Sequence, residues 1–232
     1  MGSFLHRHRG LTPFLLLAPG LAWLALFFLL PLVFLGYQSL QSGSFPDYEF
    51  TWEVSNYAKA FTDFRPQLMR SIIYAGLATV LALLLAYPLV YWIAFRAGRW
   101  KNLFLLFIVA PFFVTYLIRT LAWLNILADE GPVVGVLRDV GVLADDGRLL
   151  ATPIAVVAGI TYNFFALMAL PIYVSLEQID QRLLEAAKDL YASPAQAFLR
   201  VTLPLSAPGM IAGTLLTFIP AAGDFINAHL LG

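Results

Sequence analysis

The sequence predicts an all-α, polytopic membrane protein, and three observations carry that prediction. Hydrophobic residues make up 60% of the 232 positions and charged residues only 12%, about half the usual charged share of soluble domains. Five apolar runs, roughly 13–37, 71–95, 103–128, 151–175 and 207–228, are each long enough to cross a hydrocarbon core, which takes about 20 helical residues. Between the last two lies the one long polar stretch with helical patterning, Arg182 to Pro204. A soluble fold would have no water-compatible surface to lay over so much apolar mass, whereas lipid solvates the outside of a membrane bundle.

Composition also excludes some chemistry. The chain has no cysteine, so disulfides, thiolate metal sites and Cys nucleophiles are ruled out. His6, His8 and His229 are scattered and form no metal constellation. A net charge of zero gives no indication of nucleic-acid binding.

The first run follows a basic His6-Arg7-His8-Arg9, as a signal peptide would. The apolar stretch from Leu11 to Tyr37 far exceeds a cleavable h-region of roughly 7–15 residues, so it is read as a retained span. Pro31, Pro88, Pro111, Pro171 and Pro220 fall inside the runs, where neighbouring helices can satisfy the freed backbone groups. Orientation follows from the bias of Lys and Arg toward cytoplasmic loops. With the N-terminus inside, Arg96, Arg99, Lys101, Arg182, Lys188 and Arg200 fall on the inner side with Arg7 and Arg9. The acids from Asp47 to Asp146 then all lie outside, in segments 38–70 and 129–150. The first of these reads as a partly ordered connection with a short surface helix near Trp52, Tyr57 and Phe61; the second opens on a Gly131-Pro132 turn signal. The chain reaches Gly232 soon after the last run, with no polar tail, and is expected to be C-terminally incomplete.

In the polar stretch, Leu183, Ala187, Leu190 and Tyr191 recur at helical spacing, with Arg182, Glu185, Lys188 and Asp189 on the other side. Ser193-Pro194 restarts a helix, Ser as N-cap and Pro at the first helical position. Ala195, Phe198 and Leu199 give this second piece its apolar face, and Pro204 is expected to close it. Two short amphipathic helices thus meet at a bend on the cytoplasmic side. They could lie on lipid headgroups or dock in a groove of a soluble partner, and composition does not separate the two.

Glu185-Ala186-Ala187, followed at fixed gaps by Val201 and by Leu203-Pro204, resembles the EAA motif of bacterial ABC importer permeases. That motif runs E-A-A, three residues, G, nine residues, I, one residue, L-P. Tyr191 stands at the Gly position, so the bend is expected to be made differently or the first helix to run on. Arg119-Thr120-Leu121-Ala122-Trp123, Gly131-Pro132, Leu176 to Asp180 and Pro220 to Phe225 are similar to stretches of the spermidine/putrescine permeases, first membrane subunit. The resemblance implies a single permease domain over 1–232 in the inner membrane, with five of six helices present. It implies a second permease subunit, two ATPase subunits that hold the ATP and Mg, and an extracytoplasmic solute-binding protein. This chain would bind no cofactor and catalyse nothing; it has no phosphate-binding Gly-rich Lys motif. Glu185, Ala186, Ala187, Asp189, Tyr191, Leu203 and Pro204 would form the coupling element to the ATPase.

For the substrate pathway, Asp224 is the one acid within the apolar runs, and an intramembrane ionisable group is costly enough to suggest function. It could hold a polyamine cation, or lie hydrated at the boundary, or pair with Arg119. Tyr116, Arg119, Thr120 and Trp123 share a helix face, while Tyr162 and Asn163 interrupt an apolar run. Aromatic rings can hold ammonium groups by cation–π contact, although Tyr and Trp also serve as interfacial anchors. Gly209 and Gly213 form a G-x-x-x-G spacing suited to close helix packing. Other readings are an importer of the same family for ferric iron, an opine, a phosphonate or an oxyanion, and, from another class, an ion-coupled carrier or an intramembrane enzyme.

Overall fold

The computed structural model describes residues 12–44, 47–144 and 146–232, and its chain forms two compact units, Met1–Pro66 and Gln67–Gly232. In the first unit, α1 (Thr12–Leu24) passes through a π-helical turn, Ala25–Leu29, into α2 (Leu30–Ser39). The turn has a local cause. Pro31 brings no N–H to the ladder, and Leu30 N–H reaches back to the carbonyl of Ala25 instead of the usual fourth residue, so the helix continues past the proline. Strands β1 (Gln41–Ser44) and β2 (Asp47–Phe50) then pair antiparallel, Gln41 opposite Phe50. The strands were not expected from sequence. Tyr37 stacks on Phe50 at 4.8 Å and Phe50 meets Trp52 edge-on at 5.1 Å. The expected short helix is α3 (Ser55–Asp63). Its Asn56 side chain donates to the carbonyls of Ser39 and Gln41 at 3.2 and 2.9 Å, tying helix to hairpin.

The second unit begins on α4 (Arg65–Arg96), whose buried residues Ala75, Ala78, Ala82, Ala86, Val90 and Ile93 recur every three or four positions, one face of a helix. After a turn at Gly98–Trp100 come α5 (Lys101–Val109), a 3₁₀ turn at Ala110–Phe113 and α6 (Tyr116–Leu127). Here the third run, read from sequence as one span over 103–128, is broken in two. Val114 and Thr115 are extended (ψ 135° and 136°), and the helices on either side are bent by 96°. Helix α7 (Pro132–Asp139) starts at the Gly131-Pro132 signal, with Pro in its first turn. The long helix α8 (Pro153–Glu177) follows. Then come α9 (Gln181–Asp189), α10 (Pro194–Ala197), a π-helical turn at Phe198–Thr202, α11 (Leu203–Ala222) and α12 (Phe225–Leu231).

Pro204 does not close the second short helix. The helix runs on from Pro194 to Ala222, and Leu203 N–H donates to Phe198 carbonyl across the π turn, the arrangement seen at Leu30-Pro31. The fifth run is accordingly two elements, broken at Gly223-Asp224. Among the described residues, four helices are long and apolar enough to cross a membrane, or five if the bent pair is one span.

The core of this unit is α4 and α11 against α8. Val90 and Ile93 pack with Met168, Ile172 and Leu176 in one cluster; Ala75 and Ala78 pack with Val156, Ile160, Ala221 and Leu231 in the other. Gly209 and Gly213 bring α11 close to α8. A Cβ on Gly209 would stand 2.5 Å from the Pro171 carbonyl oxygen, and one on Gly213 2.8 Å from that of Met168, so the G-x-x-x-G spacing does serve backbone approach. At the end assigned to the inner side, Lys101 pairs with Glu177 at 2.8 Å. At the other end Ala151 N–H donates to Leu231 carbonyl at 3.0 Å.

Candidate functional site

The element that sequence singled out is built by caps. Asp180 accepts from Arg182 N–H at 2.9 Å to begin α9. At its other end Tyr191 N–H donates to Lys188 carbonyl at 2.9 Å and Ala192 N–H to Ala187 carbonyl at 3.0 Å. This pair of bonds is the Schellman closure, which requires a left-handed residue between them. That residue is Tyr191, at φ +60°. The bend expected to need a new solution therefore uses the glycine geometry with a tyrosine in it, at a backbone cost of about 1–2 kcal/mol. Ser193 then caps α10 in a reciprocal box: its Oγ accepts from Gln196 N–H at 3.3 Å and its own N–H donates to Gln196 Oε1 at 2.9 Å.

Exposure sorts this helix pair into two faces. Leu184 and Ala187 are half-buried toward the bundle, whereas Leu183, Glu185, Ala186, Asp189, Leu190 and Tyr191 are exposed. Leu190 and Tyr191 are 81% and 97% exposed, so the apolar positions predicted on one face mostly point outward. Leu203 is half-buried and Pro204 exposed. The pair is anchored by Phe198, which stands edge-on to Tyr87 at 5.8 Å and to Tyr91 at 5.6 Å on α4. Tyr87 also shares a hydrogen bond with Ser206 at 2.8 Å. A cavity of about 460 Å³ opens between the pair and α4, lined by Tyr91, Arg96, Glu185, Lys188 and Phe198, so Glu185 borders both this cavity and the exposed face.

The second cluster gathers where α6, α8 and α12 meet. Asp224 caps α12, its Oδ1 accepting from Asn227 N–H at 3.2 Å. Its Oδ2 accepts from the Tyr116 hydroxyl and from Asn227 Nδ2, the latter at 2.6 Å. Asn227 Nδ2 also donates to Tyr116 Oη at 2.7 Å. Asp224 is half-buried and sits on the wall of a cavity of about 520 Å³ with Arg70, Tyr74 and Thr152. Asn163, buried on α8, reaches Thr120 Oγ1 at 3.4 Å and Asn227 Oδ1 at 3.5 Å. Asn227, fully buried, was not singled out from sequence, although an Asn three residues after an N-capping Asp inside an apolar run was signal enough.

Arg119 is only 8% exposed and forms no ion pair with Asp224 or any other carboxylate among the described residues. Its Nη1 donates to Asn163 carbonyl at 3.2 Å, and its Nε has no partner. The guanidinium carbon lies 5.3 Å from the Phe112 ring centre and 5.6 Å from that of Tyr116. It borders a cavity of about 290 Å³ that Phe112 and Tyr162 also line. Trp123 and Tyr162 meet edge-on at 5.6 Å; among the described residues neither hydrogen-bonds to Asp224. The structure thus unites Tyr116, Asp224 and Asn163, sets Arg119 on the Tyr116 ring face, and places Tyr162, paired with Trp123, on the wall of the Arg119 cavity away from Asp224.

Comparison with known proteins places this architecture. The family described as "Binding-protein-dependent transport system inner membrane component" matches residues 78–232. A spermidine/putrescine transport system permease protein PotB from Haemophilus influenzae is 38% identical over 213 residues, 91% of this chain and 74% of that one. Its counterpart from Escherichia coli K12 is 34% identical over 212 residues, 90% and 77% of the two chains. The inner membrane ABC transporter permease protein YdcU of the same organism is 29% identical over 256 residues, covering 100% and 79%. Among solved structures, a bacterial ABC transporter involved in import of the acidic polysaccharide alginate superposes with a TM-score of 0.68 at 19% identity, over 99% of this chain and 79% of that one. That last likeness concerns the fold.

Proposed function

The chain belongs to the family of binding-protein-dependent transport system inner membrane components, and from that premise we propose that it forms part of the translocation pathway of an ATP-driven importer for spermidine and putrescine. The observation that carries the substrate is Asp224, the acid within the apolar runs, held by Tyr116 and Asn227 on the wall of the outer cavity. A carboxylate oriented by two donors beside an aromatic ring suits an ammonium group, which gains from both charge and ring face. The PotB relatives support the same cargo.

In this reading the exposed face of the 182–204 element, with Glu185, Ala186, Asp189, Leu190 and Tyr191, docks in a groove of an ATPase subunit. A second permease subunit completes the pathway, and an extracytoplasmic binding protein delivers substrate. ATP and Mg belong to the ATPases, and this chain transmits their closure without chemistry of its own. Its N-terminus lies on the cytoplasmic side, and the two compact units act together as one permease. Replacing Glu185 by Lys and measuring ATP-driven spermidine uptake in the reconstituted complex tests the coupling role. Uptake is expected to fall at least tenfold while the subunits still co-purify; unchanged uptake would sink it.

One observation favours a second cargo class. Arg119 is a buried cation without a carboxylate partner among the described residues, as a site for an oxyanion would require. Uptake of molybdate or sulfate in the same vesicles, in place of spermidine, would select it.

A further inference from the structure

We propose that Arg119 is a resident cation that occupies, in this conformation, the aromatic seat a substrate ammonium takes during passage. The inference rests on the polyamine reading above and adds a gate to it. A guanidinium taken out of water is normally matched by a carboxylate. This one, 8% exposed, has instead a single backbone carbonyl, an unpartnered Nε and two ring faces, those of Phe112 and Tyr116.

Those are the contacts an alkylammonium group seeks. Tyr116 is common to both halves of the arrangement, since its hydroxyl holds the Asp224 carboxylate and its ring lies beside Arg119. A diamine could therefore bind one end at Asp224 and the other on the rings, once the guanidinium has left. The seat lies across the break in the span. Phe112 precedes the extended pair Val114-Thr115, and Tyr116 and Arg119 follow it. Closing or opening the 96° bend would change the Phe112–Arg119 contact first. An occupied seat lowers apparent affinity in proportion to the fraction of time it is vacated, so free substrate would be ignored until delivery and the ATPase stroke move Arg119 away.

The test uses the complete importer in proteoliposomes and reads ATP hydrolysis as spermidine is titrated, with and without the solute-binding protein. The wild type is expected to respond only with the binding protein. Arg119→Met is expected to respond to free spermidine alone, with a half-maximal concentration at least tenfold below that of wild type. Arg119→Lys, which keeps a cation on the rings, is expected to stay silent. An Arg119→Met complex that assembles and ignores free spermidine would overturn the proposal. So would failure of both Arg119→Met and Arg119→Gln to assemble where Arg119→Lys does, because the cation would then be structural. Loss of molybdate or sulfate uptake in Arg119→Met would assign the guanidinium to an anion. A wild-type complex that ignores spermidine even with its binding protein would overturn the substrate reading and the gate together.

Discussion

The ring of Phe198 stands edge-on to that of Tyr91, their centres 5.6 Å apart. Phe198 opens the π turn that leads from the exposed helix pair into α11, and Tyr91 belongs to α4. The contact, with its partner at Tyr87, therefore joins the exposed helix pair to α4 and α11 at once. Edge-to-face aromatic pairs contribute about 0.5–1.5 kcal/mol each beyond their buried area. Phe198→Ala is expected to lower the melting temperature of the detergent-solubilised complex. Uptake should fall further than ATP hydrolysis, because force applied at the helix pair would no longer reach α4. Equal losses in both rates would argue against a coupling contact.

Tyr191 offers a change in the opposite direction. Its φ of +60° is costly for a side chain with a Cβ, and glycine removes that cost. Tyr191→Gly is expected to stabilise the bend by roughly 1 kcal/mol, the strain relieved minus the extra freedom glycine has when unfolded. Tyr191→Val, β-branched at the same φ, is expected to destabilise it. Protease resistance of the 182–204 segment measures both.

Close approach of α11 to α8 predicts a contrast between glycines. Gly209→Ala places a methyl 2.5 Å from the Pro171 carbonyl oxygen, an overlap that only a backbone shift relieves, at about 1–3 kcal/mol. Gly76, in α4, has nothing within 4 Å of where a Cβ would stand. Gly76→Ala is expected to be neutral or stabilising by about 0.5–1 kcal/mol, from helix propensity. Thermal melting of the two variants side by side tests the packing directly.

Asp224 has three duties: a cap for α12, an acceptor for the Tyr116 hydroxyl and Asn227 Nδ2, and a charge on the cavity wall. Asn caps a helix about as well as Asp, but its amide NH2 would face those two donors where Oδ2 accepts them. Asp224→Asn is therefore expected to keep the cap, to lose about 1 kcal/mol of stability and to lose spermidine uptake by tenfold or more. Asp224→Ala should lose the cap as well, for a total of about 2 kcal/mol. Uptake that survives in Asp224→Asn would remove the charge from the substrate argument.

Much of this was legible in the chain. The spans announce themselves because their apolar runs are long, and the box at Ser193 and Gln196 is a local pattern that needs no tertiary help. The EAA spacing located the bend, since the bend is made within a few residues of backbone. What escaped lacks such a signature. Val114 and Thr115 are β-branched and disfavour a helix only slightly, too weak a signal to announce the 96° bend between the helices on either side. The hairpin at Gln41–Phe50 forms from too few residues for alternation to show. Asn227 had a local signal, its spacing from Asp224, and Arg119 is a candidate from the sequence itself; what the fold adds is that the first is saturated with hydrogen bonds and the Nε of the second has none among the described residues.

The two π turns carry a further consequence. Each places one residue more than the α-helical register ahead of a Leu-Pro step, at Leu30-Pro31 and at Leu203-Pro204. One residue is about 100° of helix rotation, so each insertion sets phase independently of length. A helical wheel drawn straight through Phe198–Thr202 points α11 the wrong way. Deleting a single residue there would leave a helix of nearly the same reach, with Phe198 turned out of the Tyr87–Tyr91 notch while Gly209 still faced α8. The proline and its extra residue act together as a fixed angular offset between the helical segments on either side of the turn.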